Sequence, residues 1–204
     1  NESRWVHSST NYITMINIEY PKPPEKVILA SFCNQETDRR IFEEDLCEME
    51  MLCNTANAIV VETIVQNGST PKASTYLGSG KLEEIAEKIK TNGCTTLVID
   101  ADLSPGQVRN IEKIVNAKII DRNQLILDIF ALHAKTNEAK IQVELAQLNT
   151  LYPRLTHAWS HFSKQYGGMG TRGPGEKQLE VDRRLVQKKI ADLKKRLEKI
   201  VQSR

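Results

Sequence analysis

A glycine-rich, cationic segment near the C-terminus carries the residues whose types and spacing best suit binding chemistry. Five glycines and one proline fall within residues 167 to 175, and a charged helical pattern follows at once. Glycine lets a partner approach the main chain closely, while arginine and lysine supply donors and positive charge. Because helix N-termini also favour phosphate, the segment predicts contacts with a polyanion. The residues predicted to bind are Lys164, Tyr166, Gly167, Gly168, Gly170, Thr171, Arg172, Gly173, Gly175 and Lys177.

Aromatic and histidine side chains precede these glycines along the chain. Rings interleaved with basic residues are suited to stacking on unpaired RNA bases, so RNA is expected as the partner and DNA is not. Trp159 and Phe162 could equally close the end of a helical pair. His157 and His161 have the i, i+4 spacing of metal ligands, but no third ligand is evident, so no metal site is predicted.

A second candidate site is the short run Gly78, Ser79, Gly80 and Lys81, which opens a predicted helix. A glycine turn at a helix N-terminus is compatible with binding a nucleotide phosphate. The run departs from the P-loop pattern, because its glycines are two residues apart and Leu82 follows the lysine. A plain turn and helix start is the alternative interpretation.

Catalytic motifs are otherwise missing from the sequence, and no catalytic residue is predicted. There is no G-x-S-x-G or H-E-x-x-H motif and no plausible pairing of a cysteine with a histidine. Three carboxylates, Asp100, Asp102 and Asp121, follow predicted strands, where α/β sheets bind ligands. Helix capping and loop solvation explain them equally well.

The charge of the chain is divided along its length, although the formal net charge is only +2. Residues 1–152 hold 15 Lys and Arg against 21 Asp and Glu, a net charge of −6, and residues 153–204 hold 13 against 5, a net charge of +8. An acidic body and a basic C-terminal part favour a polyanionic partner on the basic side. The four cysteines form no CxxC pair and are expected to be reduced, mostly buried thiols in the cytoplasm. No apolar run approaches membrane-spanning length, and no signal-peptide pattern opens the chain.

The elements that must position these residues begin with an alternation of strands and helices, which predicts an α/β fold with a parallel four-stranded sheet flanked by helices. Ser104, Pro105 and Gln107 form a capping-box start for one helix, whose inward residues should be Val108, Ile111 and Ile114. The predicted strands are Val27–Ala30, Ala58–Val65, Thr95–Ile99 and Ala117–Ile120, and the predicted helices are Ile41–Ala56, Gly80–Thr91, one from Ser104, and one capped by Asn123 and running to Ala134.

Two apolar stripes then predict a long antiparallel helical hairpin of coiled-coil type. The first steps from Ile141 to Leu155 in intervals of three and four, and the second recurs every seven residues from Leu179 to Ile200. Pro153 falls inside the first helix and is expected to kink that helix rather than end it. The predicted organisation is an irregular lead-in over 1–25, an α/β subdomain over 26–134, and a hairpin over 135–204 with a tip loop at 163–176.

These residues resemble the HflX family of ribosome-associated GTPases. Its glycine-rich signature is similar to Gly167–Arg184, and its N-terminal motif is similar to Thr75–Lys81. Residues Asp121–Phe130 and Ala139–Leu148 also match the family. The resemblance covers about residues 26–204 and leaves out the first 25.

The resemblance implies an α/β subdomain, a helical hairpin and then a GTPase domain that this chain does not contain. The sequence has no G-x-x-x-x-G-K-[ST] and no N-K-x-D motif, so GTP hydrolysis by this chain is not expected. The chain begins without methionine, and its N-terminus is expected to be trimmed or incomplete.

The implied partner is the large (50S) ribosomal subunit with its rRNA, in ribosome splitting or rescue, with the loop facing the peptidyl-transferase centre. A monomer is expected, with no cofactor in this chain and with GTP and Mg²⁺ in the missing domain. An ATP-binding domain centred on Gly78–Lys81 and a protein-binding helical module remain as alternatives.

Overall fold

A four-stranded parallel sheet forms the centre of the chain, as the computed structural model describes it. The description covers residues 23–166 and 174–202, and gives only the backbone for 155–166 and 174–182. The elements in chain order are β1 (Glu25–Asn34), α1 (Arg39–Thr55), β2 (Ala58–Gly68), α2 (Ser79–Asn92), β3 (Thr96–Ile99), α3 (Pro105–Val115), β4 (Lys118–Asp121), α4 (Arg122–His133), α5 (Asn137–Tyr166) and α6 (Pro174–Gln202).

The strands are ordered β2-β1-β3-β4, and every neighbouring pair is parallel. The predicted parallel sheet is therefore confirmed. The chain places β2 on one side of β1 and then β3 on the other side of β1. The direction in which strands are added therefore reverses between β1 and β3, and the carboxyl ends of these two strands flank that point. The long strands β1 and β2 carry a bulge: Val27 pairs with Val60 and Ile28 with Glu62, which leaves Val61 as the extra residue on the edge strand.

Two apolar cores lie on the two faces of the sheet. One face holds α2 and α3 over side chains such as Ile28, Leu97 and Ile99. The other holds α1 and α4 over side chains such as Val27, Leu29 and Val98. Alternate residues of one strand thus enter opposite cores, which is why these strands are apolar throughout rather than alternating.

The helix starts follow from local capping. Ser104 accepts from the Gln107 backbone and the Gln107 side chain accepts from Ser104, so the predicted capping box of α3 is confirmed. Val108 and Ile111 are buried as predicted, but Ile114 is 37% exposed and Val115 is buried instead. The predicted cap of α4 by Asn123 is wrong. Asp121 caps it, because its carboxylate accepts from the Gln124 backbone nitrogen.

All four cysteines are free thiols, but only Cys53 and Cys94 are buried. The expectation that most of them are buried is therefore wrong, since Cys47 is exposed on the outer side of α1 and Cys33 is intermediate. No helix within the described residues is long and apolar enough to cross a membrane.

Candidate nucleic-acid interface and its attachment to the sheet

The helices α5 and α6 carry the predicted binding segment between them, and their described parts share an apolar cluster. Ile141 and Leu148 of α5 are buried together with Val186 and Leu193 of α6. The further members of the cluster are Leu145, Tyr152, Ile190, Leu197 and Ile200. The apolar residues that repeat at regular intervals in the sequence therefore lie on the faces where α5 and α6 meet.

Polar contacts along this seam fix the direction of the two helices over the described stretch. The Tyr152 hydroxyl accepts from Arg183 Nε at 2.8 Å and from Gln187 Nε2 at 2.5 Å. The Arg183 guanidinium carbon also lies 5.7 Å from the centroid of the Tyr152 ring. Nearer the start of α5, Glu144 pairs with Lys189 at 2.6 Å. Partners later in α6 lie earlier in α5, so the two helices run in opposite directions here.

The predicted binding residues lie at the far end of this pair. Lys164 and Tyr166 are in the last turn of α5, and Gly175 and Lys177 are in the first turn of α6. The others, Gly167, Gly168, Gly170, Thr171, Arg172 and Gly173, lie outside the described residues. The complete hairpin therefore stays a prediction. The structure continues α5 through Pro153 and so confirms that this proline does not end the helix.

A row of basic side chains on α6 was not singled out from the sequence. Arg184, Lys188, Lys195 and Lys199 are all exposed. Their spacings of four, seven and four residues place them on one side of the helix, opposite the buried Val186. The signal that could have found them is this spacing, read against the apolar heptad. The row gives α6 an exposed line of positive charge from Arg184 to Lys199.

A buried ion pair attaches α5 to the sheet. Arg154 Nη2 lies 2.5 Å from Asp121 Oδ2, and the side chain of Asp121 is only 4% exposed. The other oxygen of Asp121 accepts from the Gln124 backbone nitrogen at 2.8 Å. The carboxylate of Asp121 thus caps α4 and also holds α5 at Arg154, the residue that follows Pro153. The capping interpretation of Asp121 is confirmed, with a second role that the sequence did not indicate.

A second polar contact joins α4 and α5. Gln147 Nε2 donates to Asp128 Oδ1 at 3.1 Å, and Gln124 Nε2 donates to the same oxygen at 2.9 Å. Burial raises the pKa of Asp128, and the two glutamine donors offset only part of that effect. Together with the ion pair of Arg154, this contact attaches the part of α5 from Gln147 to Arg154 to α4 and to the end of β4.

The carboxyl ends of β1 and β3 hold a further charged group. Asp100 accepts from Arg122 Nη1 at 3.0 Å and from the buried Ser31 hydroxyl at 3.3 Å. Arg122 Nη2 also pairs with Glu48 of α1 at 2.9 Å. Burial raises the pKa of Asp100, while Arg122 acts in the opposite direction. Asp100 therefore ties β3 to α4 and α1, and Asp102 is exposed on the loop that follows.

The run Gly78–Lys81 begins α2, and its groups take part in local contacts. The Gly78 backbone nitrogen donates to Gln66 Oε1 at 2.9 Å, and Lys81 pairs with Glu84 at 2.7 Å. Gly78 adopts an extended φ of −66°, which does not require glycine. These contacts account for the turn and the helix start without a nucleotide. No group of three or more His, Cys, Asp or Glu residues is placed to hold a metal ion among the described residues.

The comparisons with known proteins agree with this arrangement. A family model described as GTP-binding GTPase N-terminal matches residues 43–131, and one described as GTP-binding GTPase Middle Region matches residues 133–204. The GTPase HflX of Flavobacterium psychrophilum is 46% identical over 173 residues, which cover 85% of this chain and 42% of that protein. The GTPase HflX of Escherichia coli is 42% identical over 185 residues, covering 91% and 42%.

Solved structures match as well. The crystal structure of SsGBP with GDP has a TM-score of 0.62 at 28% identity, and covers 86% of this chain and 44% of that one. A GTP-binding protein from the hyperthermophilic archaeon Sulfolobus solfataricus, in complex with GDP, has a TM-score of 0.59 at 26% identity and covers 86% and 45%. The fold and these matches define the N-terminal and middle regions of a GTP-binding GTPase. The chain belongs to the HflX family, and it spans less than half the length of these relatives.

Proposed function

We propose that this chain is the ribosome-binding region of an HflX GTPase, which acts in the cytoplasm on the large (50S) subunit during ribosome splitting or rescue. In this proposal residues 26–134 form an α/β body after an irregular lead-in, and residues 135–204 form a helical hairpin with its tip loop at 163–176. The tip binds ribosomal RNA through the glycine backbone, Thr171, Arg172 and the lysines on either side.

The observation that carries the proposal is the seam between α5 and α6. Their opposite directions, set by the contacts of Tyr152 and Glu144, put Tyr166 and Pro174 at the same end of the pair. That end lies beyond the part of α5 that is attached to the sheet by Arg154. At a rise of about 1.5 Å per residue, Tyr166 is about 18 Å past Arg154 along the helix. A cationic end at that distance from Arg154 suits insertion into a groove of a large RNA.

Charge supports the same assignment. The part of the chain after residue 152 has a net charge of +8, against −6 for the part before it. The exposed row from Arg184 to Lys199 continues the positive charge from the tip along α6. Phosphate contacts release counterions, so binding should weaken steeply as salt rises. The acidic sheet region is repelled by RNA and should face away from it.

Nucleotide chemistry in the full-length protein belongs to residues outside this chain. The sequence contains neither a G-x-x-x-x-G-K-[ST] phosphate loop nor an N-K-x-D motif, so GTP and Mg²⁺ do not fit any run of residues present here. We therefore assign the GTP site to the remaining part of the protein. This chain supplies attachment to the ribosome.

The test is co-sedimentation with isolated 50S and 30S subunits at two salt concentrations. Arg172→Ala combined with Lys177→Ala should weaken 50S binding at least tenfold and lower the slope of log K against log salt by about two, because two phosphate contacts are lost. The matched control is Lys90→Ala combined with Lys113→Ala, which removes the same charge from exposed positions on α2 and α3. Equal binding by the two double variants would reject the tip as the docking element.

A further inference from the structure

One position in the apolar stripe of α6 carries a charged residue. The other members of the stripe step by three and four residues and pack in the cluster shared with α5: Val186, Ile190, Leu193, Leu197 and Ile200. The same stepping places Arg183 three residues before Val186, so an arginine stands where the pattern calls for an apolar side chain. A polar residue at one such position lowers the stability of a helical pair but selects its register.

The apolar residues alone do not select a register for α5 and α6. Their stripes repeat at the same intervals on both helices, so sliding one helix past the other by one step brings apolar side chains together again. The connection over residues 167–173 contains four glycines, and glycine permits many backbone conformations. The sequence of the connection therefore does not enforce one alignment either, and a polar contact within the seam is needed to distinguish the alignments.

Tyr152 of α5 provides such a contact. Its hydroxyl accepts from Arg183 Nε at 2.8 Å and from Gln187 Nε2 at 2.5 Å, two donors that lie about one turn apart on α6. A hydroxyl oxygen has two acceptor lone pairs, so both are used. The Arg183 guanidinium carbon also lies 5.7 Å from the centroid of the Tyr152 ring, which itself packs in the apolar cluster. Tyr152 thus meets the apolar stripe with its ring and Arg183 with its hydroxyl.

A different register would take Arg183 away from this partner. Tyr152 is preceded in the α5 stripe by Leu148 and followed by Leu155. Sliding α6 by one step in either direction brings Arg183 level with one of these leucines, and leucine offers no hydrogen-bond acceptor. The same slip displaces the start of α6 relative to the end of α5 by about 5 Å. The contact of Tyr152 with Arg183 therefore favours one alignment of the two helix ends.

We propose that Tyr152 and Arg183 are positioning residues, whose contact specifies the register of α5 and α6 and with it the alignment of the tip. The part that concerns the tip rests on the proposed function, because it treats Lys164 and Lys177 as RNA-binding residues that must lie at matched positions. Arg183 acts through Tyr152 and does not itself touch the RNA. Since Arg183 is exposed, the contact acts on the choice of register and adds little to stability.

Pulsed electron paramagnetic resonance between two nitroxide labels tests the register in the full-length protein. The labels are attached at Asn149→Cys and Val201→Cys, both at exposed positions, and reactive cysteines elsewhere are replaced by serine. Because Arg183 lies beside Tyr152 in antiparallel helices, position 149 is level with position 186, about 22 Å along α6 from position 201. One step of slip therefore changes the measured distance by about 5 Å.

The wild-type protein should show one distance. Tyr152→Phe removes only the acceptor hydroxyl and should add a second distance, with a population about tenfold above any present in wild type. Arg183→Leu should add the same second distance and also raise the urea midpoint, because leucine completes the apolar stripe. A contact that only stabilised the pair would instead lower the midpoint and keep one distance. The matched controls are Tyr76→Phe and Arg39→Leu, which lie in the α/β body and should keep one distance.

One unshifted distance in both Tyr152→Phe and Arg183→Leu would overturn the inference. Co-sedimentation with 50S subunits tests the consequence for the tip. The slope of log K against log salt should fall by about one in Tyr152→Phe, because Lys164 and Lys177 then no longer reach their phosphates together. A second distance with an unchanged slope would overturn the role in aligning the tip. If the wild-type protein fails to bind 50S subunits, the proposed function fails, while the measured distances still decide the register.

Discussion

Asp121 offers the most direct test of how the helices are attached to the sheet. Its carboxylate makes two separable contacts, the cap of α4 and the ion pair with Arg154. Losing an N-cap costs about 1 kcal/mol. Breaking a buried ion pair from one side costs about 3 kcal/mol, taken at the low end because the Arg154 side chain is 18% exposed. Asp121→Ala should therefore lower the free energy of unfolding by about 4 kcal/mol, which corresponds to a fall in Tm of about 12 °C.

Asp121→Asn separates the two contributions. Asparagine caps helices as well as aspartate does, so this variant should lose only the ion pair, about 3 kcal/mol. Arg154→Met should lose a similar amount, and the Asp121→Asn, Arg154→Met double variant should lose less than the sum, since neither charge is then left alone.

Urea denaturation followed by circular dichroism measures the four variants against wild type. A loss of less than about 1 kcal/mol for Asp121→Ala would refute the reasoning, because the loss of the cap alone should cost that much. Equal losses for Asp121→Ala and Asp121→Asn would show that the cap contributes nothing.

Three further predictions concern other contacts. Burial raises the pKa of the Asp128 carboxyl, so the folded state binds its proton more tightly than the unfolded state does, and stability falls as the pH rises from the carboxyl's pKa in the unfolded chain to its pKa in the folded chain. Asp128→Asn removes this charge, so the variant should be more stable than wild type in urea at pH 7 and should lose that advantage near pH 3. Gly93→Ala should cost about 1 kcal/mol in the same assay because Gly93 has φ +64°, whereas Gly80→Ala, in open space within α2, should gain about 0.5 kcal/mol. Burial raises the pKa of Cys53 to about 11, so at pH 8 iodoacetamide should label Cys47 at least 100-fold faster by mass spectrometry; comparable rates would contradict the burial of Cys53.

The elements of the sheet could be predicted because their causes are local. Apolar runs and the capping box from Ser104 to Gln107 predict each strand and helix to within a few residues of its observed bounds. The prediction ended β1 at Ala30, although the strand continues to Asn34. Ser31, Cys33 and Asn34 are not typical strand residues, and only pairing with β2 holds them extended. Strand order was not predictable, because it depends on contacts between distant parts of the chain.

The contacts around the candidate site could not be predicted from the sequence either, because they too join residues that are far apart along the chain. Asp121 and Arg154 are 33 residues apart, and Asp100 and Arg122 are 22 apart. Nothing in either local pattern indicates its partner. The choice between Ile114 and Val115 also failed, because a one-residue rotation of α3 on the sheet leaves the same helical periodicity. The glycine segment was recognisable without any structure, since its composition alone departs from that of a packed element.

The position of Arg154 has a mechanical consequence. Proline at 153 removes one backbone donor from α5, which weakens the helix beside Arg154, whose ion pair with Asp121 attaches α5 to the end of β4. From Arg154, α5 continues for about 18 Å to its last residue, Tyr166. A bend of about 10° at Pro153 would move the last turn of α5 sideways by about 3 Å, roughly the length of one hydrogen bond. A small rotation of α4 could therefore make or break contacts at the distal end without any change in the sheet.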